Sequence, residues 1–304
     1  MSRLFLVDSH ALLHRAFHAM SNSKLTYQGK PIGAVYGFFS MFLAAVFELK
    51  PTYLATCFDS SEPTFRHKKF IAYQAHRPAT EEQLKSQIDL TREILGEAKI
   101  PLFVKPGYEA DDLIGTIAEK SQKKREVKEI IIVTGDKDLM QLVKGKTRLF
   151  LLAGGGNASQ ISLVGSDGVQ EKLGIRPDQV IDYKALVGDS SDNYPGVYGI
   201  GPKTAEELLE NYDNLKNIYQ NLDKIKESWR NKLVNGREAA QLSQELAKIV
   251  LNTPINFSLE RSCWDEKSLL TLKHSLRRFN FRSLVGRIEK YFDQGNLRKQ
   301  MKLI

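Results

Sequence analysis

The sequence predicts an α/β fold in which a mainly parallel sheet is joined to a second, α-helical subdomain. Continuous apolar runs, such as residues 130–133 (IIIV), are typical of strands that are covered on both faces. These runs alternate with helical patterns, as in a parallel sheet with helices on both faces. From about residue 165 the pattern is helical and lacks convincing strands. We therefore predict a first domain over residues 1–165 and a second over residues 166–304.

Strand and helix signals alternate along the first domain. Strands are predicted at residues 4–7, 53–58, 100–104, 130–133, 147–152 and 161–164, and helices at residues 11–20, 34–48, 81–98 and 113–124. The glycine-rich residues 153–157 predict a flexible turn. Residues 60–80 are basic and aromatic, with little apolar periodicity. They are either an ordinary solvated loop or a mobile segment that offers cations and stacking faces to a phosphate strand.

Acidic residues follow four of the predicted strands. They are Asp8, Asp59, the group Glu109, Asp111 and Asp112, and the pair Asp136 and Asp138. Acidic residues are favoured in the first turn of a helix, which explains one or two of these residues. It does not explain why acidic residues follow four separate strands. In open α/β sheets, ligands bind at the carboxyl edge of the strands. Convergent carboxylates without a cysteine or histidine cluster suit Mg²⁺ or Mn²⁺.

A second acidic pair precedes a glycine-punctuated turn. Asp189 and Asp192 are three residues apart, so a helix or a tight turn brings them to one side. The segment that follows, residues 195–202 (PGVYGIGP), opens a helix at about Lys203. Successive backbone N–H groups at such a helix N-terminus can bind a phosphate without reading bases. These residues predict a nucleic-acid contact beside an acidic site.

The composition is that of a globular protein with a polyanionic partner. Forty-four basic and 36 acidic residues give a formal net charge of +8, which is common among proteins that bind nucleic acids. Cys57 and Cys263 lack metal or redox spacing, so we expect Cys57 to be a buried thiol and the protein to be cytoplasmic. No apolar run approaches the roughly 20 residues of a membrane span, and no membrane partner is predicted.

Five motifs together resemble the 5′-nuclease domain of bacterial DNA polymerase I, a family that includes phage 5′-exonucleases and flap endonucleases. The motifs are LVDSHALLHRAFHAM (residues 6–20), CFDSSEPTFRH (57–67), GYEADDLIGTIA (107–118), VTGDKDLMQLV (133–143) and GDSSDNYPGVYGIGPKTA (188–205). The resemblance covers residues 1 to about 290 in the order of the family.

The resemblance implies a PIN-like α/β domain with a helical arch near residues 60–85. It also implies a helix–hairpin–helix motif near residues 185–212. The implied activity is hydrolysis of DNA phosphodiesters at 5′ ends, flaps and nicks, with two Mg²⁺ or Mn²⁺ ions, in primer removal and repair. The implied partners are flapped, nicked, gapped or RNA-primed duplex DNA and a DNA polymerase domain in cis or in trans. We expect a monomer.

Site residues follow from their positions in the motifs. The resemblance implies that the first cation is held or surrounded by Asp8, Asp59, Glu109, Asp111, Asp112 and Asp136, and the second by Asp136, Asp138, Asp189 and Asp192. It implies catalytic roles for Arg15 and Arg66 at that site and for Arg77 in the arch. The implied DNA contacts are Tyr73 and Gln74 in the arch and Gly199, Gly201, Lys203 and Thr204 at the hairpin, where relatives also hold K⁺.

Two departures from the family pattern bear on function. Ser9 follows the first aspartate where the family commonly has glycine, a mild change. Gln74 stands where the arch usually has lysine, and a glutamine cannot supply charge to a phosphate. Lys24, Lys68 and Lys69 are the candidates to compensate.

Three alternatives to a structure-specific 5′-nuclease remain at this stage. A flap-binding module that does not cut is favoured by Gln74 and opposed by the full set of acids. A PIN-class ribonuclease is opposed by the second, glycine-punctuated domain. A phosphatase with an aspartate nucleophile is opposed by His10, which occupies the position where such enzymes have a second aspartate.

Overall fold

The fold was analysed in a computed structural model, which describes residues 2–76, 81–152 and 161–301. The predicted turn at residues 153–157 and the predicted arch residue Arg77 lie outside the described residues.

Within the described residues, the strands form one six-stranded sheet and one small hairpin. The strands are β1 (Arg3–Asp8), β2 (Thr26–Tyr27), β3 (Lys30–Pro31), β4 (Tyr53–Cys57), β5 (Leu102–Phe103), β6 (Glu129–Thr134), β7 (Thr147–Leu152) and β8 (Ile161–Val164). The large sheet has the order β5-β4-β1-β6-β7-β8. Only β8 runs antiparallel to its neighbour, so the prediction of a mainly parallel sheet is confirmed.

The helices connect these strands and form most of the second half. They are α1 (Ser9–Ala19), α2 (Gly33–Leu49), α3 (Phe65–Lys69), α4 (Glu82–Glu97), α5 (Ala110–Gln122), α6 (Ser166–Leu173), α7 (Val180–Val187), α8 (Pro202–Tyr212), α9 (Leu215–Gln220), α10 (Glu227–Asn235), α11 (Arg237–Ala247), α12 (Glu266–Arg278) and α13 (Arg282–Met301). A 3₁₀ helix, Asp138–Leu142, follows β6.

The sheet is buried on both faces because alternate residues of its central strands point to opposite sides. Leu4 and Leu6 pack with α5 and with helices of the second half. Phe5 and Val7 pack in a separate core with α1, α2, α4, α12 and α13. The apolar runs of the sequence therefore correspond to strands with two covered faces.

The edge strand β5 is shorter than the sequence predicts. Residues 100–104 are apolar, but only Leu102–Phe103 pair as a strand. Pro101 lacks an N–H group, so it cannot donate to a strand ladder. Its carbonyl still accepts a hydrogen bond from the backbone N–H of Thr56, at 2.8 Å. Cys57, at the end of β4, is a fully buried free thiol as predicted.

The second half is helical after β8, within the described residues. Helices α7 and α11 pack against each other beside the sheet, whereas α12 and α13 return to α4 and α2. No helix in the described part of the chain is both long and apolar enough to cross a bilayer.

Candidate active site

Three strand ends and the start of α5 bring a group of carboxylates to one edge of the sheet. Asp8 ends β1, and in the register of the sheet it lies beside Cys57, two residues before Asp59. The hydroxyl of Thr134, at the end of β6, donates to Oδ2 of Asp8 at 2.6 Å. The backbone N–H of Ala11 donates to Oδ1 at 3.1 Å. Asp8 is therefore oriented by donors on both sides.

Asp59 and Asp136 are held by similar backbone contacts. The N–H of Ala110, at the start of α5, donates to Oδ1 of Asp59 at 2.6 Å. The N–H of Asp138 donates to Oδ1 of Asp136 at 2.8 Å. These donors fix one oxygen of each carboxylate, and Nε2 of His10 lies 3.5 Å from the other oxygen of Asp59.

The electrostatics indicate that the group lacks enough positive charge of its own. The pKa of Asp8 is raised to about 7, chiefly by burial; the hydrogen bonds from Thr134 and Ala11 oppose the rise, and the neighbouring Asp136 and Asp59 add to it. The pKa of Asp111 is raised well above its usual range by burial and by Asp8, Asp136 and Asp59. A hard divalent cation with oxygen ligands would compensate these charges. Among the described residues, however, the carboxylates whose oxygens all lie within 4.8 Å of one another are Asp138, Asp189 and Asp192.

Arg66 and Asp112 occupy a different environment. Arg66 is 2% exposed, and its two terminal nitrogens each lie 2.9 Å from an oxygen of the fully buried Asp112. Arg66 also donates to the carbonyls of Leu246 and Lys248. In this arrangement Asp112 is held in a buried ion pair with Arg66, and the implied roles of Asp112 at a cation and of Arg66 at a phosphate stay predictions.

Glu109 lies between this ion pair and the cation group. Nη1 of Arg66 lies 3.1 Å from Oε2 of Glu109, and the hydroxyl of Thr64 donates to Oε1 at 3.0 Å. Burial raises the pKa of Glu109 to about 7, although Arg66 opposes the rise. Glu109 therefore links the arch segment to the acidic edge.

A second group of carboxylates lies between the 3₁₀ helix and the loop after α7. Asp138, Asp189 and Asp192 each offer an oxygen, and these oxygens lie within 4.8 Å of one another. Lys184, on α7, forms ion pairs with Oδ2 of both Asp138 and Asp189. The pKa of Asp138 is raised to about 7, chiefly by burial; Asp136 contributes to the rise and Lys184 opposes it. Three of the four acids predicted for the second site, Asp138, Asp189 and Asp192, are thus close together, and the fourth, Asp136, accepts the backbone N–H of Asp138.

The described part of the predicted arch is docked on Asp192. The hydroxyl of Tyr73 lies 3.2 Å from Oδ2 of Asp192 and 3.3 Å from Oε2 of Glu109, and its single proton can serve one of them at a time. Gln74 donates to Oδ1 of Asp192 through its side-chain amide, at 3.0 Å. Its backbone N–H donates to the carbonyl of Asp192 at 2.9 Å. Tyr73 is 3% exposed, so in this arrangement it faces the protein and not an open channel.

The remaining predicted cations lie at different distances from the acids. The guanidinium of Arg15 lies against Gly135, where an added Cβ would come within 3.4 Å of Nη1. Arg15 therefore lies against the turn that leads from β6 into Asp136. Lys69 is ion-paired with Glu245, while Lys24 and Lys68 are exposed.

The glycine turn is a compact hairpin between α7 and α8. Gly188 and Gly196 both have positive φ, and a Cβ on Gly196 would lie 2.3 Å from the backbone nitrogen of Gly188. Only glycine permits this close approach. Gly201 precedes α8, whose first turn contains no acidic residue, and Lys203 in that turn is exposed. Thr204 is partly buried one residue later.

Two residues of this surface were not singled out in the sequence. Tyr198, at the tip of the hairpin, is 96% exposed. Lys232, on α10, donates to the carbonyl of Gly199 at 2.9 Å. The exposed aromatic residue could be anticipated from its place between two turn glycines, whereas the contact with Lys232 comes from a segment 33 residues away.

The comparisons with known proteins agree with this architecture. The family model described as "5′-3′ exonuclease, N-terminal resolvase-like domain" matches residues 3–174, and that described as "5′-3′ exonuclease, C-terminal SAM fold" matches residues 175–269. The 5′-3′ exonuclease of Aquifex aeolicus is 36% identical over 299 residues, which cover 98% of this chain and 99% of that protein. DNA polymerase I of Caldicellulosiruptor bescii is 40% identical over 286 residues, which are 94% of this chain and 33% of the polymerase. The chain thus spans about a third of the polymerase relatives that it matches.

Solved structures share the fold at low sequence identity. The T5 5′-exonuclease with bound divalent metal ions (zinc) superposes with a TM-score of 0.66 and 20% identity, covering 94% of this chain and 99% of that one. The catalytic core of Rad2 in complex with a DNA substrate superposes with a TM-score of 0.60 and 16% identity, covering 94% and 92%.

Proposed function

Because the chain belongs to the 5′-3′ exonuclease family, we propose that it is a structure-specific nuclease that hydrolyses DNA phosphodiesters at 5′ ends, flaps and nicks. The observation that carries this proposal is the group Asp138, Asp189 and Asp192, whose oxygens lie within 4.8 Å of one another and which is joined to Asp136 through the backbone N–H of Asp138. Carboxylates whose pKa values are raised by burial and by one another would be costly without a bound cation. Bound divalent ions would offset the free-energy cost of holding these carboxylates together.

We assign two Mg²⁺ ions, or Mn²⁺, to the two groups of carboxylates. Asp8, Asp59, Asp111 and Asp136 would hold the first, with Glu109 beside it, and Asp138, Asp189 and Asp192 would hold the second. Such ions, when bound, supply an activated water and neutralise the charge of the attacked phosphate. The donors at Asp8, Asp59 and Asp136 keep these carboxylates in place before an ion binds.

The other side chains of the site would position the substrate and the acids. Arg15, against the turn that leads from β6 into Asp136, would contact a phosphate oxygen, because a guanidinium matches phosphate geometry. Arg66 would position Asp112 and Glu109 and would not itself contact the DNA. Tyr73, Gln74 and Arg77 would meet the 5′ strand after the arch moves off Asp192.

Duplex DNA would be bound at the hairpin. Exposed Lys203 and the free backbone N–H groups at the start of α8 suit a phosphate of one strand. Gly199, Gly201 and Thr204 would bring backbone and hydroxyl groups close to the same strand. A K⁺ ion could be shared between backbone oxygens there and the DNA phosphate.

The biological setting belongs to the same proposal. Removal of 5′ flaps and RNA primers in replication and repair requires gapped, nicked or flapped duplexes, so the enzyme would work in the cytoplasm with a DNA polymerase, in cis or in trans. We propose that a monomer suffices. We also propose that the PIN-like catalytic domain covers residues 1–165, with the arch near 60–85, and that the helix–hairpin–helix motif lies near 185–212 in the second domain.

The proposal is tested by incubating the chain with a 5′-labelled flap duplex in Mg²⁺. Short labelled products that are absent in EDTA, and absent with a matched single strand of the same sequence, are the expected result. Tight binding to the flap with no products at any Mg²⁺ or Mn²⁺ concentration would contradict a nuclease. That outcome would favour a flap-binding module, with Gln74 as the first residue to change to lysine.

A further inference from the structure

Lys184 lies inside the second group of carboxylates. Its ammonium group is 2.5 Å from Oδ2 of Asp189 and is also in contact with Oδ2 of Asp138. The side chain is only 14% exposed, and it reaches the group from α7, which packs beside the 3₁₀ helix that begins at Asp138. The ammonium therefore touches two of the three carboxylates that come within 4.8 Å of one another.

The third carboxylate of this group has donors of its own. Gln74 and Tyr73 occupy the two oxygens of Asp192. The charge of Asp189 is also well satisfied: burial would raise its pKa, but Lys184 and hydrogen bonds from Ser191 and Asp192 lower it to about 2. All three acids thus have partners within the chain.

An ammonium ion and a divalent ion cannot both contact the same two oxygens without strong repulsion at this depth.

We infer that Lys184 is a positioning residue that holds the second cation site in place of a divalent ion. A divalent ion enters that site only when the ammonium leaves Asp138 and Asp189. In the absence of DNA the second site therefore fills weakly, because the ammonium competes for the oxygens of Asp138 and Asp189. The assignment of this group as a cation site rests on the proposed function, but the competition itself is a property of the DNA-free chain.

The competition is measured by Mn²⁺ binding to the DNA-free chain, with free Mn²⁺ followed by electron paramagnetic resonance. Lys184→Met removes the charge and keeps most of the side-chain volume. We expect the wild type to bind one tighter and one weaker ion, and Lys184→Met to bind the weaker ion at least about tenfold more tightly. The tighter ion should be unaffected. Lys144→Met is the matched control, because it removes an exposed ammonium that pairs with Glu119.

Thermal unfolding separates this role from an ordinary stabilising contact. Without Lys184, Asp138 and Asp189 face each other uncompensated, so Lys184→Met should unfold at a lower temperature than the wild type in EDTA. In saturating Mn²⁺ the difference in melting temperature between wild type and variant should become smaller or change sign, because the ion replaces the ammonium. The inference is overturned if the difference in melting temperature is the same in EDTA and in Mn²⁺. It is also overturned if Lys184→Met binds the weaker ion no more tightly than the wild type does.

If Lys184→Met does not fold in EDTA, Lys184→Gln provides the same comparison with a neutral hydrogen-bond donor. Neither measurement uses cleavage. If the chain binds flaps without cutting them, the proposed function fails and this inference is unaffected. If the chain cuts DNA but the wild type and the variants all bind two Mn²⁺ ions with equal affinity, this inference is wrong and the proposed function stands.

Discussion

Arg66 and Asp112 form a buried two-point ion pair in which each terminal nitrogen of the guanidinium lies 2.9 Å from a carboxylate oxygen. The pair joins α3, at the base of the predicted arch, to the first turn of α5. Oδ1 of Asp112 also accepts from the backbone N–H of Val250, at 2.8 Å. One ion pair therefore ties three distant segments together beside the acidic edge.

Substitutions at the neighbouring residues Asp111 and Asp112 should change the free energy of unfolding in opposite directions. Asp112→Ala removes the two-point partner of the buried guanidinium of Arg66 and leaves Glu109 as its remaining ion-pair partner, which should lower the free energy of unfolding by about 3 kcal/mol. Asp111→Asn removes one of several carboxylates that repel one another. This variant should therefore have a higher free energy of unfolding in the absence of metal. Urea unfolding of both variants in EDTA checks this. Two changes of the same sign would contradict the division of roles.

The stability of the metal-free chain should fall as pH rises. The pKa of Asp8, Glu109 and Asp138 is about 7 in the folded chain, above the ordinary values of 3.8 to 4.5. The folded state therefore binds these protons more tightly than the unfolded state does. Their contribution to stability is fully present below about pH 4 and is lost as pH rises through about 7. Melting temperatures measured in EDTA between pH 5 and pH 8 give the loss of stability. Added Mg²⁺ should make this loss smaller. A melting temperature that rises across this window would be inconsistent with these acids.

Gln74→Lys should increase the rate of a single turnover. The change adds a positive charge beside Asp192, where the family commonly has lysine, and about tenfold corresponds to about 1.4 kcal/mol of transition-state stabilisation. Rapid-quench cleavage of a flap duplex measures the rate. Gln83→Lys, which adds the same charge at an exposed position of α4, is the control. An unchanged rate for Gln74→Lys would mean that another cation already acts there.

Lys203→Ala should weaken duplex binding and reduce its salt dependence. One lost phosphate contact lowers the slope of log affinity against log salt by about one. Fluorescence anisotropy at several salt concentrations gives both quantities, and Lys290→Ala, an exposed lysine on α13, should leave them unchanged. Equal affinities for Lys203→Ala and wild type at all salt concentrations would remove the hairpin from the DNA interface.

The sheet and its acidic edge could be predicted from the sequence because each depends on local patterns. Apolar runs mark strands that are buried on both faces, and the acids follow at their ends. The separation of Asp111 from Asp112 could not be predicted in this way. Both are in the first turn of α5, but successive helical residues point about 100° apart, and the partner that selects Asp112 is Arg66, 46 residues away.

Lys184 was also beyond the reach of local patterns. It lies five residues before Asp189, so a contact with that residue could be suspected. Its contact with Asp138 depends on how α7 packs beside the 3₁₀ helix. Tyr73 is similar, because its burial against Asp192 and Glu109 follows from the docking of a segment without apolar periodicity.

Asp136 provides the most direct test of the central claim, since it lies between the two groups of carboxylates and contributes to the raised pKa values of Asp8, Asp111 and Asp138. We would measure cleavage and binding of the same flap duplex by Asp136→Ala, with Asp167→Ala, an exposed acid on α6, as the control. The account predicts that cleavage falls by more than about a thousandfold while the affinity for the flap stays close to that of the wild type. Cleavage by Asp136→Ala at the rate of Asp167→Ala would contradict a cation-dependent nuclease site at this edge of the sheet.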